Sequence, residues 1–295
     1  VISGNVDYWQ DEGFKTACTE LGLPFVALVK EHPLSQAAAR GLEDLYESTK
    51  YQYRGKIALV AGEATKRVLV SKGVCSKENT IVTGLPRFDA WNPGVVDMNH
   101  QAGTWVTLLS FRSGYDADTT FLEVLDDFVC SAKDAEARSS PLTFVIKAKN
   151  IEDEVEIRRL IGPEAIQHLR IVTHIPLAEL FSRSIFVVGW GSMSLIEACG
   201  SKKHLVIPDW GECSHPDTSF LTKQTHQAPF ATFPRSQSEL RHVLADYIKT
   251  PPPAISREEA QEIVRQFVHL PFGQTVCNVI EKVMVDISKS KERGF

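Results

Sequence analysis

The residues able to do chemistry in this chain lie where its apolar runs end. Glu31 and His32 follow the run at residues 24–29, and either type can take a proton from a hydroxyl. Arg112 and Ser113 follow the run at 105–110. A guanidinium beside loop N–H groups suits a phosphate, and a solvated loop arginine is the alternative reading. Lys147 ends the run at 142–147 and can offset phosphate charge; Lys149 follows so closely that one of the two is expected to be solvated. Residues 185–208, IFVVGWGSMSLIEACGSKKHLVIP, read as strand, tight turn, helix and strand. Gly189 and Gly191 allow a sharp turn and close approach of a ligand. Ser192 follows, and Ser194 precedes Glu197 by the spacing of a capping box. Gly200 is expected to end that helix. A turn of this kind before a helix start suits an anion. Glu212 and His215 come after the second strand and are expected to line the same side.

Around these groups the first hundred residues alternate strand and helix, and the alternation restarts at residue 105. The pattern means parallel sheets with crossover helices. Residues 92–104, with Pro93, Gly94 and Gly103, read as a linker. We therefore expect an α/β chain of two Rossmann-like domains facing a cleft, over 1–98 and 99–295. Residues 209–234 read as irregular, and helices are expected over 237–250, 257–268 and 275–288. The chain opens on Val1-Ile2-Ser3 as though inside a strand, so the first domain is expected to be incomplete.

Composition narrows the function. Lys+Arg of 32 against Asp+Glu of 37 leaves a net charge of -5, which argues against binding nucleic acid through bulk charge. The six cysteines form no CxxC pair and read as free thiols. No run approaches the ~18 apolar residues of a membrane span. Cys213, His215 and Asp217, with His204, match no zinc spacing. Asp126-Asp127 falls within a helical pattern and reads as its solvated face rather than as a metal-binding acidic pair.

Three stretches resemble a known family. Residues 82–89, VTGLPRFD, are similar to an element closing the first domain of bacterial surface-polysaccharide enzymes. Residues 185–208 resemble the donor-binding strand-helix-strand of GT-B glycosyltransferases, and residues 271–287 their closing helix. The group includes capsule and lipopolysaccharide glycosyltransferases, with teichoic acid glycerophosphotransferases more distantly similar. The resemblance implies a cytoplasmic enzyme, working at the inner membrane face if it meets a membrane at all. It implies metal-independent transfer without a cofactor, from a CMP-, CDP- or UDP-type nucleotide sugar to a glycan or glycolipid acceptor. The donor would be held by Arg112, Ser113, Lys147, Gly191, Ser192, Ser194, Glu197, Glu212 and His215. The serine hydroxyls would meet its phosphate and Glu197 its ribose. Glu31 or His32 would act as the base. Gly84, Arg87 and Asp89 would shape the cleft or pin the domain end. One departure stands out: where related enzymes carry Lys-Pro-His-Pro, residues 146–150 read IKAKN and hold no histidine. A UDP-N-acetylglucosamine 2-epimerase-like enzyme and a non-catalytic nucleotide-sugar-binding module are the alternatives.

Overall fold

The computed structural model describes residues 1–7, 9–30, 36–92, 103–110, 119–214 and 230–292. The chain forms two compact units, one of residues 1–97 and 264–295 and one of 98–263. The break at 97/98 lies beside the expected boundary. The C-terminal assignment differs: the closing segment, expected in the second domain, belongs to the first unit.

The first unit is a four-stranded parallel sheet in the order β1 (Ile2–Gly4), β2 (Val26–Val29), β3 (Ile57–Val60), β4 (Thr80–Val82). Its two faces follow the period of a strand. Ala27, Val29, Ala58 and Val60 share a core with Cys18 of α1 (Glu12–Glu20), Leu42 and Tyr46 of α2 (Gln36–Thr49), and Val68 and Leu69 of α3 (Glu63–Ser71). Val26 and Leu59 face the other way, onto α10 (Val276–Glu292). That helix covers them with Ile280, Val283, Met284 and Ile287, a stripe at helical spacing. At the end of α1, Gly22 at φ 61 sends its N–H to Thr19 O, while Leu23 N–H reaches Cys18 O at 2.7 Å. This is the Schellman arrangement that glycine favours.

The closing segment is tied to the first unit by specific bonds. His269 N–H reaches Ala61 O at 2.7 Å. Asn92, 1% exposed, donates its amide to Pro271 O and Gln274 O at 2.9 and 2.8 Å. Asp89 accepts from Val276 N–H at 2.6 Å and from Cys277 N–H at 3.4 Å, so it caps α10. Gly84 lies at φ 84, where a Cβ would stand 2.2 Å from His269 O. The motif at 82–89 therefore receives the returning chain. Asp89 pins the domain end through this helix, while Arg87 places its guanidinium 6.0 Å from the Phe88 ring centre.

The second unit is a six-stranded parallel sheet, β10 (Ala231–Thr232), β9 (His204–Val206), β8 (Ser184–Val188), β5 (Trp105–Leu109), β6 (Thr143–Lys147), β7 (Arg170–Val172). Counted from β5, the order runs 6-5-4-1-2-3, the doubly wound arrangement with its reversal between β5 and β8. All five residues of β5 are buried, which is why it reads as an unbroken apolar run. The helices are α4 (Thr119–Ala137), α5 (Ile151–Ile166), α6 (Leu177–Arg183), α7 (Ser194–Gly200), α8 (Gln237–Lys249) and α9 (Arg257–Phe267), the last reaching into the first unit. The strand β10 falls in a stretch expected to be irregular; its two residues are too few to show a period. Gly162, at φ 75, kinks α5 just before Pro163.

Asp127 corrects another expectation. It is fully buried, and Arg241 of α8 donates to its Oδ1 from Nη2 at 2.6 Å and from Nε at 3.0 Å. Burial pushes its carboxyl pKa up, opposed by that guanidinium. It fastens α4 to α8, whereas Asp126 is exposed. Among the described residues no helix is long and apolar enough to cross a membrane.

His204 supplies a pH prediction. It is 5% exposed, with Nε2 bonded to Thr232 Oγ1 at 3.0 Å and Tyr247 Oη at 3.2 Å. Burial lowers its pKa to about 4. As pH falls from 6.5 towards that value, the unfolded chain takes up a proton that the native imidazole refuses. The stability present above pH 6.5 is therefore lost across this window. Between pH 7 and 4.5 the loss from this residue should be on the order of 2–3 kcal/mol. Urea melts of His204→Gln should show that much less pH dependence than the wild type; equal slopes would contradict this.

Candidate functional site

In a doubly wound sheet, ligands bind outside the carboxyl ends of the strands where the order reverses. Here that point lies between β5 and β8, and the segments leaving it are residues 110–118 and 189–193. The two strand ends pack closely: a Cβ on Gly189 would stand 3.1 Å from Leu109 Cβ. Trp190 next to it is 2% exposed, with its ring centre 6.0 Å from that of Phe121 on α4. This buried indole anchors the turn. Gly191 then adopts φ 60, a left-handed conformation that glycine enters without penalty.

The helix after this turn starts differently from the sequence expectation. Met193 is its N-cap residue, in helical conformation and with no side-chain cap bond, so Ser194 is the first helical residue. Glu197 is then the fourth and cannot close a capping box with Ser194. Ser192 does the local work: its Oγ accepts from Ser194 N–H at 3.2 Å. Glu197 is 3% exposed on a helix with five consecutive buried residues. The helix ends at Gly200 as expected, and Lys202 at φ 61 takes the left-handed position beyond it.

Beside β5, the ends of β6 and β7 form a polar cluster. Ser110 Oγ donates to Asp153, whose carboxylate also accepts from Lys149 N–H at 2.8 Å. Asn150 caps α5 by accepting from Asp153 N–H at 2.8 Å. Lys147 Nζ donates to Ala148 O at 2.6 Å and to Thr173 O at 2.7 Å, which leaves one ammonium proton. Burial lowers its pKa, and Asp153 acts against that. Lys149 is exposed, as expected for one of the pair. The Asn150-x-x-Asp153 spacing was a legible cap signal; the bond to Ser110 was not, because it joins the end of β5 to the first turn of α5, 43 residues away.

Glu212 has another occupation. Its carboxylate accepts from Thr120 N–H at 2.6 Å, from Phe121 N–H at 3.1 Å and from the Thr120 hydroxyl, so it caps α4 from 92 residues away. Gly211 at φ 55 allows this approach, since a Cβ there would meet Thr120 Oγ1 at 2.1 Å. The protein's own carboxylate thus fills the N-terminus of α4, so Glu212 caps a helix where a donor contact was expected. Glu31, His32, Arg112, Ser113 and His215 lie outside the described residues. Among the described residues no group of three or more His, Cys, Asp and Glu could hold a metal ion.

No protein-family profile matches the sequence, and no curated protein matches it. Solved structures do. The wall teichoic acid polymerase TagF, soaked with CDPG, has a TM-score of 0.58 at 12% identity, covering 91% of this chain and 69% of that one. The UDP-GlcNAc 2-epimerase of Methanocaldococcus jannaschii has 0.56 at 12% identity, covering 97% and 76%. The pneumococcal O-GlcNAc transferase GtfA, in complex with UDP and GlcNAc, has 0.51 at 14% identity, covering 93% of this chain and 54% of that one. The fold is GT-B.

These neighbours include an O-GlcNAc transferase, a teichoic acid polymerase and a 2-epimerase, so the fold is shared by more than one chemistry. In this chain the second unit brings Gly191, Ser192, Ser194 and Glu197 together at one end of β8. Lys147 stands two strands away across β5.

Proposed function

We propose that this GT-B chain is a metal-independent glycosyltransferase, using a pyrimidine-nucleotide sugar and a surface-polysaccharide or glycolipid acceptor. The observation that carries the donor site is the reversal of strand order between β5 and β8, with a glycine turn at the end of β8. Neighbours holding UDP or CDPG support the nucleotide class. In this reading Arg112 and Ser113, on the segment after β5, meet the donor phosphates together with Ser192 and Ser194. The remaining proton of Lys147 adds positive charge nearby, and Glu197 accepts from the ribose hydroxyls. His215 belongs to the same side. The acceptor hydroxyl attacks the anomeric carbon while the bond from that carbon to the phosphate oxygen breaks. The nucleotide leaves with the electron pair, and Glu31 or His32 takes the hydroxyl proton.

The second reading is a 2-epimerase, favoured by the neighbours of that activity, which match over 97–98% of this chain. Incubation with UDP-GlcNAc, followed by NMR with and without a glycan acceptor, separates the two. We expect turnover to nucleotide diphosphate that needs an acceptor and is unchanged by a chelator. Accumulation of the C2 epimer without acceptor would establish the second reading. A tenfold loss of rate on chelation would overturn metal independence.

A further inference from the structure

Away from the glycine turn, where β8 and β9 begin, the second unit holds a cavity of about 460 Å³. Its lining includes the apolar Ile185, Pro251, Pro252 and Ile255 together with Lys202 and Lys203. None of the described residues lining it is acidic. Lys203 is 8% exposed, and among the described residues its ammonium has no carboxylate or hydrogen-bond acceptor. Among the described residues the charged group acting on it is Lys202, a like charge; burial and that neighbour lower its pKa to about 8.

The backbone holds the two lysines in place. Lys202 N–H reaches Cys199 O at 2.8 Å, and Lys203 N–H reaches Ala198 O at 3.0 Å, closing α7 in a Schellman turn. Adjacent cations beside an apolar wall are unfavourable unless a counter-charge joins them. An anionic group between the two ammoniums would remove that cost, and an apolar body attached to it would cover the prolines and Ile255. Both halves of such a ligand fit the available volume. We propose that this cavity is a second ligand site, separate from the glycine turn, for a small organic anion: a phosphate ester or carboxylate with an apolar body.

Calorimetric titration of the full chain at pH 7 with phenyl phosphate, benzoate and benzyl alcohol tests this. At least one of the two anions should bind with one-to-one stoichiometry, and benzyl alcohol should bind at least tenfold more weakly. Whichever anion binds names the class. Lys203→Met keeps the aliphatic stem and removes a buried charge, so it should melt no lower than the wild type and bind the anion at least tenfold more weakly. Lys202→Asn keeps a residue tolerant of the left-handed backbone, and should weaken the anion in the same direction should Lys203→Met fold poorly. Excess uridine diphosphate should not displace the anion. Binding of benzyl alcohol as tight as the anions, no binding by either anion, unchanged affinity in a folded lysine variant, or displacement by the nucleotide would each overturn the proposal.

Discussion

Gly84→Ala is expected to lower the melting temperature by roughly 6–12 °C, the shift that a loss of about 3 kcal/mol produces in a unit of this size. Two costs combine. The residue sits at φ 84, which an L side chain rarely adopts, and the new Cβ would lie 2.2 Å from His269 O. That carbonyl is backbone, so relief requires moving the segment that leads into α10. The helix covers Val26 and Leu59, so displacing it exposes one face of the first sheet. Gly41→Ala is the matched control. Gly41 lies inside α2 with open space around it, and alanine there should stabilise by about 0.5–1 kcal/mol. If Gly84→Ala melted with the wild type, the closing segment would not run against residue 84.

Glu197→Gln should weaken ribonucleotide binding about tenfold to hundredfold, the equivalent of roughly 1.5–3 kcal/mol for hydrogen bonds to a charged group. A carboxylate can accept from two vicinal hydroxyls, whereas the amide offers one acceptor oxygen and places an NH₂ where the other stood. A mere capping role would make the exchange silent, but Ser194 is the first helical residue and Glu197 lies one position too far along for the box. Binding of a 2′,3′-dideoxynucleotide should hardly change, because it lacks the hydroxyls. Normal ribonucleotide affinity in the variant, or equal loss of both ligands, would remove Glu197 from the donor site.

Much of this architecture was legible in the sequence, and particular residues show why. The run at β5 is continuous because all five residues are buried, and the turn glycine at 191 takes a left-handed conformation. What stayed hidden depended on long-range partners. The stripe Ile280, Val283, Met284 and Ile287 announces a helix, but it reads the same whichever sheet it covers. Glu212 looks like any loop carboxylate until Thr120 and Phe121 are beside it. Asp127 lies on a helix whose sequence gives no sign of Arg241 opposite. The start of α7 was misplaced because Met193, a residue with no capping signal, takes the cap position. At β10 two residues are too short for any pattern.

The central claim is that a nucleotide binds at the end of β8, and the most direct measurement is calorimetric titration of the chain with UDP, CDP, CMP and GDP. At least one pyrimidine nucleotide should bind saturably at one per chain, more tightly than GDP. Raised to 100 times its dissociation constant, it should stabilise the fold by about 2.7 kcal/mol. Absence of binding by all four nucleotides at millimolar concentration would contradict the account.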